Sequence, residues 1–416
     1  MKNLKDLTAK FFDNLAIEYN RDENKNISKE QMSSDIVCFK NSLDQFLDSG
    51  SKEDAFVVYF CYSEIYKIFG NGYENTQKLL ETLSDHEYHT GELLSKHRDH
   101  YSHSVYVFAL GLAIYKNDNN FRQSFLNFYN LQNDTYTDSK FLYYWGAVSL
   151  FHDIGYPFQL VYEQIKIYAT EMWGEKNETN PYVSFGNLTK FLAIDEEKSS
   201  KIKEILNIDI NFNNLNELLA YGLKIREGYS TNEVVPLLLN RIKYQDRFMD
   251  HGYFSAIILL KRLLALDKLK FSPEILDVCT AILLHNNFNK HDAPKKHPIK
   301  LDEHPLAYLL ILCDELQCWD RLPYGKESKI DPVAWDVNVR ISNNKIEIVY
   351  YFEKIAIRDT DNNYHINKSA LKIQNGKFVE DIKSFIDTSL NFNIKVEEKA
   401  KTKRSKIYAS DNNFIN

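Results

Sequence analysis

The chain has few cysteines and no long apolar run, and each shortage excludes a class of protein. Five cysteines among 416 residues are an odd number, and no two form a Cys-x-x-Cys pair. This argues against a disulfide frame or a zinc knuckle and is typical of reduced thiols. No stretch approaches the roughly 18 consecutive apolar residues of a membrane-spanning helix, since Lys261 and Arg262 interrupt even the run Ala256–Leu266. The N-terminus lacks the apolar core of a signal peptide, so we expect a cytoplasmic protein without membrane association.

An excess of positive charge is missing as well. The net charge of −7 and the isoelectric point near 6.0 argue against a protein that coats duplex DNA or an anionic membrane. A local basic patch would still suffice for a small charged ligand. Hydrophobic residues make up 44% of the chain, enough for a large core. The length of 416 residues suggests two or three domains, or one large helical domain with appendages. The 27 tyrosines and 26 phenylalanines would support a homo-oligomer interface, or could all be interior.

Helical spacing of apolar residues dominates the chain up to about residue 322 and predicts a mostly α fold. Beyond that point, alternation in residues 337–342 and 345–352 around Asn343-Asn344 predicts a β-hairpin. The other helical or strand patterns outside the central part of the chain are Leu7–Tyr19, Ile36–Leu47, Phe56–Phe69, Ala370–Ser389 and Phe392–Val396. The predicted divisions are an N-terminal helical segment (1–94), a helical core (95–322) and a small C-terminal α+β appendage with a basic tail (323–416).

A histidine and an aspartate, His152 and Asp153, stand side by side at the end of an apolar run. Adjacent residues on a helix point about 100° apart, so both reach one ion only if it lies against the backbone between them. A buried acid costs several kcal/mol unless it is paired, hydrogen-bonded or bound to a cation. The alternative is an ordinary helix C-terminus, with Gly155 as the cap and Pro157 as the stop.

Four more histidines or acids lie at the margins of apolar helical segments. His103 precedes one apolar run, His251 opens another and His285 closes a third, and Asp314 directly follows the apolar stretch 309–313. A single histidine at a helix end is more often structural. Several helices that each present such a residue favour a shared site, and imidazole with carboxylate suits iron, manganese, zinc, cobalt or nickel.

In this order, the residues of segment 95–322 resemble the HD-domain metal-dependent phosphohydrolase superfamily, in its dinuclear form. The resemblance implies an HD-type helical core and two divalent metal ions, with Mg as a further choice of metal. The ligands it implies are His103, His152, Asp153 and Asp314 for one ion, and His251 and His285 for the second, with Asp153 bridging. Members of this superfamily usually hydrolyse phosphomonoesters, phosphodiesters or nucleoside triphosphates, and a minority are dinuclear-iron oxygenases.

Residues near these ligands are candidates for catalysis and substrate binding. Asp99 and His100 could act with Asp153 as acid and base, or could be a helix-start aspartate with an exposed histidine. The substrate-binding candidates are Arg98 and Arg321 for phosphate, Gln317 for a hydrogen bond, Trp319 for stacking on a base, and Lys295 and Lys296 as an anion-attracting rim. The alternatives for the last three are a core tryptophan and a solvated loop.

Two departures limit which substrate the resemblance implies. Gly155-Tyr156-Pro157 spells the motif of the cyclic di-guanylate type but lies directly after the His-Asp pair, not far downstream. The signature of the deoxynucleotide triphosphohydrolases is incomplete after Asp153. We therefore expect hydrolysis of a phosphoester of a nucleotide or a short, possibly cyclic, oligonucleotide. The alternatives are a nucleotide-sensing or interaction protein with a structural metal site, which has no need of six ligands, and a dinuclear-iron oxygenase.

Overall fold

The computed structural model describes most of the chain and confirms the predicted mostly α fold with small C-terminal sheets. The described residues are 2–13, 15, 29–68, 74–78, 80–82, 85, 100–132, 136–159, 188–243, 250–265, 270–286, 298–319, 334–358 and 364–400. Within these ranges, each helix is too short or too polar to cross a lipid bilayer.

The helices are numbered in chain order. They are α1 (Lys2–Phe12), α2 (Lys29–Ser49), α3 (Lys52–Tyr66), α4 (His100–Asn117), α5 (Asn119–Phe128), α6 (Thr137–Phe151), α7 (Leu188–Leu192), α8 (Glu196–Leu206), α9 (Leu215–Glu227), α10 (Thr231–Lys243), α11 (His251–Leu264), α12 (Pro273–Leu284), α13 (Pro305–Leu316), α14 (Lys368–Gln374) and α15 (Lys377–Phe385). The strands are β1 (Ile299–Lys300), β2 (Asp336–Ser342), β3 (Lys345–Phe352), β4 (Ala356–Arg358), β5 (Tyr364–Ile366), β6 (Ile386–Asp387) and β7 (Asn391–Glu398).

The central helices α4, α6, α12 and α13 pack against one another and are apolar around most of their circumference. A helix that is hydrophobic on all sides is a buried helix, because no face is left for water. Helices α4 and α6 approach closely at Gly111, where an added Cβ would lie 2.1 Å from the ring of Trp145. That ring is fully buried and its indole N–H donates to the carbonyl of Phe108 at 2.9 Å. The close packing of these helices fixes the positions of their ends relative to one another.

The N-terminal helices join the same hydrophobic core. Helix α1 packs on α4, where Phe11 contacts the rings of Tyr115 and Phe141. Helix α3 begins at the N-cap Ser51, whose hydroxyl accepts from the amide of Asp54. The buried residues of the predicted segments 1–94, 95–322 and 323–416 therefore form one continuous core in the described part of the chain.

The C-terminal strands follow the predicted hairpin. Strands β2 and β3 are antiparallel around Asn343-Asn344, and β7 adds to β3 in parallel, giving the order β2-β3-β7. Asn344 has the left-handed φ of 55° that such tight turns need. The helical pattern Ala370–Ser389 holds two helices instead of one. Gly376, with a φ of 72°, divides it into α14 and α15, because only glycine adopts this conformation without strain.

A buried ion pair joins two helices of the core. The Asp277 carboxylate on α12 is fully buried, and Arg226 on α9 contacts it through Nε at 2.6 Å and Nη2 at 2.7 Å. Burial raises the pKa of Asp277 to about 6, although Arg226 opposes that shift. Removal of Arg226 alone would be costly, because the buried Asp277 carboxylate would keep its charge without an oppositely charged partner.

Replacement of Arg226 by methionine is expected to destabilise the protein by about 3–5 kcal/mol at pH 7, because Asp277 then stays buried without its partner. The loss should shrink as the pH falls to 5, since the folded state then takes up a proton at the raised-pKa carboxyl. Urea unfolding at both pH values measures this. The double variant Arg226→Met/Asp277→Asn should recover most of the stability, and an equally large loss in that double variant would contradict the explanation.

Candidate metal centre

The six predicted ligands lie together at one end of the central helices. His103 is in the first turn of α4, His152 and Asp153 follow α6, His251 begins α11, His285 follows α12, and Asp314 is in the last turn of α13. Each is held at a helix end because the apolar residues beside it are buried in the bundle. The packing of the helices therefore brings residues that are far apart in the sequence together around one point.

Asp153 lies between two pairs of histidines. Its Oδ2 is 3.5 Å from Nε2 of His152 and 4.0 Å from Nε2 of His103. Its Oδ1 is 3.3 Å from Nε2 of His251 and 3.9 Å from Nε2 of His285. Each carboxylate oxygen thus faces a different pair of imidazoles, which is the arrangement that a carboxylate bridging two cations requires.

Asp314 completes the first of these groups. Its Oδ1 is 2.8 Å from Nε2 of His103 and 4.0 Å from Nε2 of His152. The ligand atoms of His103, His152 and Asp314 all lie within 4.8 Å of one another, close enough for one ion to lie among them. Among the residues that the structure describes, two groups of side chains could each hold an ion: His103, His152 and Asp314, and His152, Asp153 and His285.

Two histidines have their tautomers fixed by backbone carbonyls. Nδ1 of His152 lies 2.7 Å from the carbonyl oxygen of Ser149, and Nδ1 of His285 contacts the carbonyl oxygen of Ile282. A carbonyl only accepts, so each Nδ1 carries the proton and each Nε2 carries a lone pair. Both Nε2 atoms are buried and make no hydrogen bond within the described part of the chain. A buried lone pair of this kind fits a cation, because it otherwise costs free energy.

The tautomer of His103 is fixed through a side chain. Nδ1 of His103 lies 2.6 Å from Oε1 of Gln317, whose Nε2 donates to the carbonyl of Trp319 at 2.7 Å. That second bond orients the amide, so Oε1 accepts from His103. The Nε2 lone pair of His103 then faces the Asp314 carboxylate, and only a proton or a cation between them makes this contact favourable.

His251 is positioned by polar groups at the start of α11. Its Nδ1 lies 2.7 Å from Oε1 of Gln159 and 3.0 Å from Nδ2 of Asn286. The same Asn286 amide donates to Asp250 at 2.9 Å, and Asp250 also caps α11 by accepting from the amide of Gly252. These contacts join the helix end that presents His285 to the helix start that presents His251.

The protonation states favour metal binding. Burial lowers the pKa of His251 to about 3 and that of His285 to about 4, so both imidazoles are neutral near pH 7. Burial alone would raise the pKa of Asp153, but electrostatic interactions with His152 and His251 outweigh it and hold that pKa below its ordinary range. The pKa of Asp314 is likewise lowered, since its hydrogen bond with His103 opposes burial. Ligands must be deprotonated to bind a metal, and these four are.

The centre is partly open to solvent. The side chains of Asp314, His251 and Asp153 are 22%, 13% and 10% exposed, whereas that of His152 is fully buried. His100 lies near this opening, with its ring 3.8 Å from that of Tyr156, which in turn is 4.9 Å from the ring of His251. The predicted catalytic His100 is thus close to the second group of ligands.

Gly155 brings the His-Asp turn against α11. Its amide donates to the hydroxyl of Ser255 at 2.7 Å, and an added Cβ would lie 2.4 Å from both the carbonyl oxygen of His251 and the amide nitrogen of Ser255. The sequence interpretation of Gly155 as a helix cap is wrong, because its φ is not in the left-handed region. The glycine is needed for close approach of two backbones.

Two substrate-binding predictions need correction. The ring of Trp319 is fully buried and packs near Tyr106 and Tyr350, at 5.7 and 6.4 Å, so the alternative core interpretation replaces stacking on a base. Gln317 is 1% exposed and uses its amide on His103 and Trp319 instead of a ligand. The other candidates, Arg98, Asp99, Lys295, Lys296 and Arg321, lie outside the described residues.

Comparison with protein families, curated proteins and solved structures finds no match to this chain. The resemblance to the HD-domain superfamily therefore stays a prediction from the ordered residues. What the structure adds is that the buried histidines and aspartates could hold a metal ion.

Proposed function

We propose that this chain is an HD-type metal-dependent phosphohydrolase that cleaves a phosphoester of a nucleotide or short oligonucleotide. The observation that supports it most is Asp153, whose two oxygens face two separate pairs of imidazoles. Such a bridging carboxylate is what a two-cation phosphoesterase needs to keep its ions close together. The nucleotide as substrate class rests on the resemblance.

The residues have separable roles in this proposal. His103, His152, Asp153 and Asp314 would hold one divalent cation, and His251 and His285 would hold the other together with Asp153. The chemistry supplied by two such cations is neutralisation of the phosphate charge and acidification of a water molecule. The buried wall formed by His152 and His285 excludes bulk solvent, which strengthens every charge interaction at the centre.

Proton transfer to the leaving oxygen is assigned to His100. It is half-buried at the edge of the centre and is close enough to interact electrostatically with Asp153 and His251. An imidazole is suited to this step because its ordinary pKa lies near neutral pH. The ring of Tyr156, tilted by 35°, packs against it.

Hydrolysis of bis(p-nitrophenyl) phosphate tests the proposal. Metal-stripped protein to which Mn²⁺ is added should release p-nitrophenol, and Asp153→Ala should not. Nucleoside triphosphates, cyclic nucleotides and short oligonucleotides, assayed by phosphate release or chromatography, identify the substrate. Absence of turnover on every phosphoester with Mn²⁺, Fe²⁺, Zn²⁺, Co²⁺, Ni²⁺ and Mg²⁺, in a protein whose circular dichroism is native, would reject it. Oxygen uptake by the Fe²⁺ form would then favour an oxygenase.

Alanine substitution of His251 or His285 is expected to remove about one metal equivalent and to leave the other bound. Both residues face Oδ1 of Asp153, whereas His103 faces Oδ2 and Asp314. Elemental analysis of the purified variants measures the change. Metal content equal to wild type in both variants would show that the centre does not hold two ions in this way.

A further inference from the structure

Gln317 connects the metal centre to the C-terminal part of the fold. It follows α13, and its amide contacts Nδ1 of His103 on one side and the carbonyl of Trp319 on the other. The main chain there is held by the hydroxyl of Tyr350 on β3, which donates to the carbonyl of Leu316 at 2.8 Å. Gln317 is therefore fixed in place by residues outside the centre.

His103 differs from the two other histidines whose tautomers are fixed. His152 and His285 each donate to a carbonyl three residues earlier, within their own helix turn, so the backbone itself sets their tautomers. His103 depends on a side chain 214 residues later in the sequence. A substitution of Gln317 can therefore remove the acceptor of His103. No side-chain substitution can remove the backbone carbonyls that accept from His152 and His285.

We infer that Gln317 is a positioning residue, which keeps the proton of His103 on Nδ1 and presents Nε2 to the ion shared with Asp314. The inference rests on the metal centre of the proposed function. A partner that accepts from the distal nitrogen of a metal-bound histidine orients the ring and raises its basicity. Loss of such a partner typically costs about 10–100-fold in metal affinity.

Two variants separate this role from a purely structural one. Gln317→Leu and Gln317→Glu both lose the donor to the Trp319 carbonyl, but only the leucine variant also loses the acceptor for His103. The leucine variant should bind Co²⁺ about 10–100-fold more weakly at its tighter site and show a changed visible absorption spectrum. The glutamate variant should stay within a few-fold of wild type and keep the spectrum.

The outcomes are distinguishable. Equal Co²⁺ affinity in both variants, whether unchanged or equally reduced, would overturn the positioning role while leaving the proposed hydrolase intact. A raised KM with unchanged Co²⁺ affinity in both would instead restore Gln317 as a substrate contact. A wild-type protein that binds Co²⁺ but hydrolyses nothing would overturn the proposed function alone, and one that binds no Co²⁺ would overturn both.

Two cysteine thiols far from the metal centre in sequence lie close to each other. Cys38 on α2 and Cys61 on α3 have their sulfur atoms 3.9 Å apart, across helices joined only by Gly50 and Ser51. Cys38 is exposed and Cys61 is half-buried. The sulfurs are in contact, and a disulfide bond of about 2.05 Å needs them to approach by roughly 2 Å more.

The geometry points to oxidative modification of this pair, with formation of an internal Cys38–Cys61 disulfide. The exposed Cys38 thiol gives up its proton and its sulfur attacks hydrogen peroxide; the O–O bond breaks, the sulfur loses two electrons to become a sulfenic acid, and the hydroxide that leaves takes up that proton as one water. The Cys61 thiol then gives up its proton and its sulfur attacks that of Cys38; the S–S bond forms, the S–O bond breaks, and the hydroxide that leaves takes up the Cys61 proton as the second water. Burial raises the pKa of Cys61 to about 12, so this second step should become faster at higher pH.

Thiol counting tests the modification. Fully reduced protein holds five cysteines, and hydrogen peroxide treatment should lower the titratable thiols by two after denaturation, with a linked Cys38–Cys61 peptide in the mass spectrum. Cys38→Ser should abolish the linked peptide, and Cys318→Ser, at another half-buried thiol, should not. Dimers linked between chains, or a sulfinic acid at Cys38 without the linked peptide, would overturn it.

Discussion

Replacement of Asp153 by asparagine is expected to abolish both metal binding and hydrolysis. The amide keeps the shape of the side chain but carries no charge and only one oxygen, so it cannot face both pairs of imidazoles as the carboxylate does. We expect the loss of nearly two metal equivalents. We also expect kcat/KM to fall by more than about 100-fold, which exceeds the effect of losing a residue that only hydrogen-bonds a metal ligand. Elemental analysis and the p-nitrophenol assay measure the two effects.

Asp302→Ala is the matched control, because it removes an exposed aspartate that lies in a turn before α13. It should leave metal content and turnover unchanged. Retention of one full metal equivalent by Asp153→Asn would mean that Asp153 serves only one ion and that the bridging arrangement is wrong.

The ligands could be predicted from the sequence because burial and chemistry coincide at each of them. His103, His285 and Asp314 each lie beside an apolar helical run, so the neighbouring residues predict that these three are close to the core. Their convergence follows from helices that pack side by side, so that the N-terminal ends of α4 and α11 meet the C-terminal ends of α6, α12 and α13. Distances between them are a property of that packing and could not be read from the chain.

The partners of the ligands could not be predicted. The acceptors for His152 and His285 are the carbonyls of Ser149 and Ile282, and every residue offers a carbonyl whatever its side chain. Gln317 was a reasonable substrate contact by residue type, since an amide can bond a ligand or a histidine equally well. Only its burial and its two contacts decide between these roles.

Glycine is ambiguous in sequence for a similar reason. Gly155 follows a helical pattern and suggests a cap, whereas Gly376 lies inside the helical pattern Ala370–Ser389. Gly376 has the positive φ of a residue that separates two helices, whereas Gly155 lacks a positive φ and is required by contact with α11. The sequence shows that a glycine is present but not whether its backbone or its missing side chain matters.

Replacement of Gly155 by alanine is therefore expected to disturb the centre although no ligand is changed. The added methyl group would lie 2.4 Å from the backbone of His251 and Ser255, and backbone atoms cannot rotate away as a flexible side chain can. The start of α11 must move, and a displacement of about 1 Å at a reacting centre can cost about 100-fold in rate. Overpacking of this kind also costs about 1–3 kcal/mol of stability.

Gly228→Ala separates the contact from a general effect of alanine. Gly228 has a φ of 66°, and no described residue lies within 4 Å of its missing Cβ, so alanine there adds backbone strain without a clash. It follows α9, which carries none of the six predicted ligands. We expect both variants to lower thermal stability, but only Gly155→Ala to lose about one metal equivalent and most of its turnover. If Gly155→Ala retained both, the position of His251 would not depend on the close approach of the His-Asp turn to α11.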